Sequence, residues 1–323
     1  MPDLHTVVRG VPVVRWDPLR PHPDGPRRVS NFGDLLGPLI IRELLGRVPV
    51  VVPDRRRLVA VGSVLHFARP GDVVWGSGVN GKMPPVALGA GDLDVRAVRG
   101  PLTRAVLALA GMEPGDVIGD PALLIPELVP DLVHRAGGAR TRDVTIIPNL
   151  NDRKDHRNDP RAVDPTAPLL EVLRAIAESR LVVASSLHAL IVADALGVDA
   201  VPLASRAEHP FKYADHYAGT GRREVLPART VEDALASSPP PPLSLDLMPL
   251  RRSFPLDLWD VEASHDRTRA SSATPPARPR CTAAEEADRH ASEETLARWL
   301  EAFGRPPEPW RFRTAAASAD ERA

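Results

Sequence analysis

The stretch Leu181 to Leu203, LVVASSLHALIVADALGVDAVPL, constrains the fold more than any other part of the chain. It opens with Leu181-Val182-Val183-Ala184, a short β-branched apolar run of the kind that forms a strand buried on both faces. Ser185 and Ser186 follow, and serine is a preferred N-cap residue. From Leu187 the apolar period changes to Leu187, Leu190, Ile191 and Ala195, one face of a helix that Gly197 stops. Asp199 to Leu203 reads as the next strand. The stretch is therefore a β-loop-α-β unit, with His188 in the first turn of its helix and off the apolar stripe. A helix N-terminus carries unpaired amides and positive dipole charge, so this turn suits an anion. The same dipole favours a neutral imidazole that can accept a proton near pH 7. On these residues alone, a packed surface histidine accounts for His188 equally well.

Length and charge narrow the class. A chain of 323 residues has room for two domains. Lysine and arginine total 41 against 42 aspartates and glutamates, a balance that gives no reason to expect nucleic acid or a polybasic membrane anchor. The single cysteine, Cys281, excludes a disulfide framework and a thiolate metal site. Nowhere do 18 apolar residues run together, and MPDLHTVVRG lacks a signal-peptide core, so a soluble, cytoplasmic protein is expected.

Other stretches repeat the strand-then-helix alternation. Residues 11–16 form a first strand, and Asn31-Phe-Gly-Asp34 leads into a helical pattern from Leu35 to Leu45. Asn31 or Asp34 caps that helix, and Gly33 lets the chain turn tightly there. A plain helix cap explains this turn as well as a ligand site does. Leu58 to Gly62 and Val73 to Trp75 read as two more buried strands. After them comes Gly76-Ser77-Gly78-Val-Asn-Gly81-Lys82, a match to G-x-G-x-x-G. The prolines in Met83-Pro84-Pro85 argue against the helix a dinucleotide site needs, which leaves a glycine loop where substrate approaches backbone.

Asp94 to Arg99 is a short alternating strand, and Pro101 opens the next helix. An arginine there can hold phosphate or carboxylate with its planar fork. Arg96 and Arg99 are three apart and point to opposite faces, so at most one of them is expected to reach the cleft. Val117 to Gly119 reads as a strand that breaks at Asp120, itself otherwise explicable as a turn residue before proline.

Residues 134–142, HRAGGARTR, have linker composition, after which Val144 to Ile147 and Pro168 to Ser179 restart the alternation as strand and helix. Glu208 to His216 reads as a solvated loop crowded with ionisable groups, including Lys212. His209 and His216, seven apart without a third partner, make poor metal ligands. Val231 to Ala236 reads as a short helix. Nine prolines between 239 and 279 mark linker or disordered chain, interrupted by a segment whose anchors Phe254, Leu258 and Trp259 can dock on the body. Glu285 to Phe303 can make one amphipathic helix through Leu296, Leu300 and Phe303.

Five of these pieces, in this order, resemble the polysaccharide pyruvyl transferase family: Asn31-Phe-Gly-Asp34, Gly76-Ser-Gly78, Val98-Arg99-Gly-Pro101, Gly119-Asp120-Pro121 and Ser185-Ser-Leu-His188. The loop from Glu208 to Tyr217 is similar to members acting on bacterial exopolysaccharides, whereas the final ~60 residues have no counterpart there. The resemblance implies an α/β fold of two Rossmann-like domains facing a cleft, similar to the GT-B glycosyltransferases. Residues 1–137 and 138–262 would form the domains, and 263–323 a Pro-rich, partly disordered tail.

The resemblance further implies phosphoenolpyruvate as donor and a hydroxyl pair of a sugar, or of a lipid-linked oligosaccharide, as acceptor. The products are a cyclic ketal and phosphate. It places Arg99 and His188 at the catalytic and donor-binding positions. Ketal formation also needs both an acid and a base; His188 is the candidate for one, and Asp120 or Asp34, between which the sequence does not choose, for the group that supplies or orients the other. Substrate contacts fall to Asn31, Gly33, Asp34, Gly76, Ser77, Gly78, Arg96, Ser185, Ser186, Glu208 and Lys212. No step requires a metal or other cofactor, and membrane association is peripheral at most. Two rivals make different predictions: a nucleotide-sugar glycosyltransferase on the same scaffold, and a non-catalytic scaffold that partners through its Pro-rich tail.

Overall fold

In the computed structural model, the residues described are 5–20, 23–46, 55–82, 92–259 and 283–302. The chain starts with the hairpin β1 (His5–Val8) and β2 (Val11–Val14), then a two-residue ribbon, β3 (Leu19–Arg20) with β4 (Arg27–Arg28), and helix α1 (Phe32–Leu45). Strands β5 (Leu58–Val59), β6 (Val73–Ser77) and β7 (Asp94–Val98) follow, then α2 (Pro101–Leu109), α3 (Ile125–Leu128) and α4 (Pro130–Gly137). The second half contains β8 (Arg142–Ile147), α5 (Leu169–Ala177), β9 (Ser179–Ala184), α6 (Leu187–Ala195), β10 (Asp199–Pro202) and α7 (Phe211–Gly219). Three helices complete it: α8 (Val231–Ala236), α9 (Met248–Arg252) and α10 (Ala283–Ala302).

Two sheets organise these elements. The first has the order β1-β2-β5-β6-β7, antiparallel only in its opening hairpin and parallel from β2 onward. The second, β10-β9-β8, is wholly parallel. Period-2 alternation decides its two faces. Ile147, Val182 and Ala184 join the large core that runs through both halves, whereas Ile146, Val183 and Val201 pack with Ala234 of α8 in a smaller one. Helix α6 is apolar around most of its circumference and buries Leu187, Ala189, Leu190, Ile191, Val192 and Ala193.

Several expectations need correcting. The first strand is one arm of a hairpin, because Arg9 and Gly10 adopt positive φ and reverse the chain after Val8. Residues 117–119 contribute a single bridge, Val98 to Ile118, instead of a strand. Residues 134–137 close helix α4, so the linker shrinks to the few positions before Arg142. The ionisable stretch after Glu208 is not a loop from Phe211 onward. Phe211, Tyr213, Ala214, Tyr217 and Ala218 are buried along α7, and the spacing of three and four that drives this helix lies beneath its charged residues.

The docking segment does return to the first sheet. The indole N–H of Trp259 donates to the Val8 carbonyl at 3.1 Å, that of Trp75 donates to the Leu250 carbonyl at 3.1 Å, and Phe254 packs between the two indoles. The Pro-rich residues 260–282 and Phe303 lie outside the described residues. No helix among the described residues is long and apolar enough to cross a membrane.

Candidate functional site

A cleft of about 310 Å³ opens at the carboxyl ends of strands from both sheets, the usual ligand position in parallel α/β architectures. Ser63 and His66 reach it after β5, Asn80 and Lys82 after β6, Asn149 and Asn151 after β8, and Ser186 and His188 after β9. Asn31 and Asp34 from the start of α1 complete the wall, with Trp16, Glu208 and Lys212.

The floor is built around His188. Its ring lies so close to Gly33 that a Cβ there would sit 2.2 Å from Nδ1, and Gly62, at φ +106°, gives room on another side. Gly33 is thus required by a side chain of the protein itself. Asn31 caps α1 by accepting from the Gly33 amide at 2.9 Å and also donates to Asp34 Oδ2. At the N-cap of α6 the Ser186 side chain makes no capping hydrogen bond and lines the cleft instead. Ser185 turns inward: its hydroxyl accepts from the Asn149 amide and its carbonyl accepts from the Tyr213 hydroxyl.

Beneath the imidazole lies Asp120, fully buried. Its Oδ1 accepts from the Ala122 amide at 2.9 Å, while Oδ2 stands 3.8 Å from His188 Nε2. Neither Oδ2 nor Nε2 has a hydrogen-bond partner. Buried polar atoms are nearly always paired, so two unpaired ones facing each other under a cleft is unusual. Burial pushes the His188 imidazole down to about 3, with Lys212 and Arg99 adding to the effect. Desolvation, more than the helix dipole named from sequence, keeps this ring neutral. Burial likewise pushes the Asp120 carboxyl up to about 6, against the opposing pull of the Ala122 amide and Arg99. Asp34, in the wall, is pushed up to about 7 by burial, partly offset by its backbone bond at Asn31 and by Lys212.

The cleft's cations surround one carboxylate. Glu208 takes Lys82 at 2.9 Å on one oxygen and Lys212 at 3.0 Å on the other, and also accepts from Asn151. Burial raises its carboxyl, but the two lysines outweigh this and hold it at about 2. Lys212 is itself lowered by burial, with Glu208 opposing.

Other residues singled out from sequence are placed differently. Arg99 does not offer a free fork to the cleft. It is 1% exposed, and Asp215, Ser63 Oγ and the Val79 carbonyl take up its guanidinium. Asp215 also accepts from the Thr103 amide and hydroxyl, so Arg99 forms the wall behind Ser63. Arg96 points to the opposite face, where Asp94 and Asp257 hold it away from the cleft. The glycines of the 76–82 loop make room for neighbouring protein atoms. A Cβ at Gly76 would lie 2.2 Å from Pro121, and one at Gly78 would lie 2.3 Å from the Arg99 guanidinium. Ser77 is buried and donates to the Gly62 carbonyl. His209 accepts from the Phe211 amide at the start of α7, while His216 pairs with Asp194. Among the described residues no group of three or more His, Cys, Asp or Glu side chains is placed to hold a metal ion.

Sequence reasoning passed over Trp16, Ser63, His66, Asn80, Lys82, Asn149 and Asn151 as wall residues. Asn149 and Asn151 carried a usable signal, since they directly follow the parallel strand β8. The others reach the cleft through loop paths that periodicity does not encode.

The chain is thus an α/β protein with a polar cleft at the carboxyl ends of parallel strands, floored by an unbonded histidine–aspartate pair. Residues 31–206, more than half of the chain, match the polysaccharide pyruvyl transferase family, and the chain belongs to that family. It is also 30% identical over 198 residues to the succinoglycan biosynthesis protein ExoV of Rhizobium meliloti (strain 1021). That match covers 58% of this chain and spans 60% of the relative's length. No solved structure matches it.

Proposed function

We propose that the protein moves the pyruvyl group of phosphoenolpyruvate onto two hydroxyls of a sugar in a polysaccharide or its lipid-linked precursor, forming a cyclic ketal and releasing phosphate. The observation that carries this reading is the unbonded His188–Asp120 pair on the cleft floor, inside the region that matches the family. The two halves of the chain would act as Rossmann-like domains meeting at this cleft in a GT-B-like arrangement, in the cytoplasm.

The reaction needs an acid and a base, each worth about 100- to 10,000-fold. Asp34, protonated near neutral pH, is the acid that protonates the methylene carbon of the donor. This leaves an oxocarbenium-like centre at the neighbouring carbon. A sugar hydroxyl attacks that centre and gives its proton to neutral His188, and Asp120 stabilises the imidazolium that forms. Phosphate leaves with the proton held by His188 and regenerates an electrophilic carbon; the second hydroxyl then closes the ring and its proton returns to Asp34. Two C–O bonds form and one breaks, so the sum is diol plus phosphoenolpyruvate giving ketal plus phosphate. The donor's anionic groups are drawn to Lys212 and Lys82, and their charge offsets the repulsion that lowers the His188 pKa.

The test is phosphate release from phosphoenolpyruvate against a panel of candidate glycans, with a thermal-shift titration alongside. Stabilisation by phosphoenolpyruvate and glycan-dependent phosphate release are expected. Stabilisation by a nucleotide-sugar in place of phosphoenolpyruvate would reject this reading in favour of glycosyl transfer.

A further inference from the structure

Helix α10 lies beyond the region that matches the family, yet it packs against the element that builds one side of the cleft. Its Trp299 is fully buried and stacks on two tyrosines of α7: Tyr213, with centroids 5.6 Å apart and planes 5° apart, and Tyr217 at 5.6 Å and 21°. Thr295 and Leu296, one turn earlier on α10, are buried with it, and Arg298 holds Glu224 and the Arg223 carbonyl just past the end of α7. Tyr213 in turn touches two parts of the site. Its hydroxyl donates to the Ser185 carbonyl at 2.6 Å, at the turn that presents His188. Its ring lies 5.1 Å from the Lys212 ammonium, within cation–π range.

We propose that α10 is a positioning element of the cleft, with Trp299 fixing the ring of Tyr213 and, through it, both the Lys212 ammonium and the backbone turn that presents His188. Only the kinetic readout of this role rests on the function proposed above. The contacts run in an unbroken series from Trp299 to Tyr213, then to Ser185 O and Lys212 Nζ. Trp299 itself does not line the cleft. It is a positioning residue, and the aromatic stack is the feature that makes the rest of the series rigid. A side chain on a buried stack keeps its rotamer, and a cation held over that ring is placed with it.

Three variants of the full chain test this. Trp299→Ala removes the stack, Trp299→Phe keeps an aromatic face, and Tyr213→Phe keeps the ring but drops the bond to Ser185 O. Trp299→Ala is expected to lower kcat/KM for phosphoenolpyruvate about 10- to 100-fold at a temperature where the variant is folded, with most of the loss in KM. Trp299→Phe restores most of it, and Tyr213→Phe shows a smaller loss, carried mainly by kcat. A purely structural role would lower the melting temperature and leave both constants of the folded enzyme unchanged, and that result overturns the proposal.

A second readout needs no turnover. In histidine-labelled protein, the ring signals of His188, assigned with His188→Ala, should shift in Trp299→Ala and in Tyr213→Phe and return in Trp299→Phe. Unmoved signals also overturn the proposal. If Trp299→Ala does not fold, Tyr213→Phe and Trp299→Phe decide it alone. If the unmodified chain consumes no phosphoenolpyruvate, the proposed function fails while the ring signals still decide the role of α10.

Discussion

Two histidines of this protein each face an aspartate, and the two pairs are built in opposite ways. His216 on α7 places Nε2 2.9 Å from Asp194 Oδ2, and Asp194 also takes two nitrogens of Arg222, whose guanidinium lies 5.0 Å from the Tyr217 ring. Burial raises the Asp194 carboxyl, but Arg222 and His216 outweigh it, and the carboxyl stays below its ordinary value. His188 on α6 stands 3.8 Å from Asp120 with no hydrogen bond between them, and burial shifts both groups toward their neutral forms. The first pair is a satisfied buried network of the kind that fixes one helix against another. The second leaves its hydrogen-bonding capacity unspent at the bottom of a cleft. An ionisable pair held apart is available for a reaction, whereas one already closed is a fastener.

The sharpest break between the pairs comes from removing each histidine. His188→Ala is expected to cut turnover by about 100- to 10,000-fold while the protein keeps its fold. His216→Ala should instead cost about 1–3 kcal/mol of stability, because Asp194 loses one buried partner. Phosphate release and thermal melting on both variants check this, and exchanged outcomes would invert the assignment.

Next in size is Asp215→Ala. It strands the Arg99 guanidinium in the interior and should cost about 3–5 kcal/mol in denaturant unfolding. A loss below about 1 kcal/mol would mean that Arg99 escapes to solvent or to the cleft.

Asp120→Asn tests the open pair on stability. The folded pKa of about 6 lies above the unfolded 3.8, so the folded state binds the proton more tightly. Stability tied to this group is present below pH 3.8 and is lost as pH rises through about 6. The asparagine variant removes that penalty and should be more stable by up to about 3 kcal/mol at pH 8, with activity reduced. Equal melting of both proteins at pH 8 would place Asp120 in a more hydrated setting.

The smallest effect is on pH dependence. With Asp120 needed as carboxylate and Asp34 as acid, kcat/KM should fall below about 6 and again above about 7. A flat profile across that range would remove both roles.

Sequence pattern revealed the β9–α6–β10 unit well, because a buried parallel strand and an apolar helix have different periods and Gly197 separates them. It was blind to α7. There the charges of Lys212, Asp215 and His216 mask the spacing of Phe211, Ala214 and Tyr217, and Asp215 and His216 are buried because each meets a partner distant in sequence. What holds Arg99 and Arg96 was hidden for the same reason. Periodicity placed them correctly on opposite faces, but Asp215 and Asp257, far along the chain, decide what each arginine does. At Gly76 and Gly78 the sequence records the missing Cβ but not that Pro121 and the Arg99 guanidinium fill the space.

The Trp259 bond to Val8 joins residues 251 positions apart. The opening hairpin is therefore left without this neighbour until a further 251 residues have been made. During synthesis the first sheet must wait with one flank bare, a slow, long-range closure that exposes the nascent protein to sticking. Damage near Trp259 would then be felt first as poor yield from the ribosome, well before any loss of chemistry in the finished molecule.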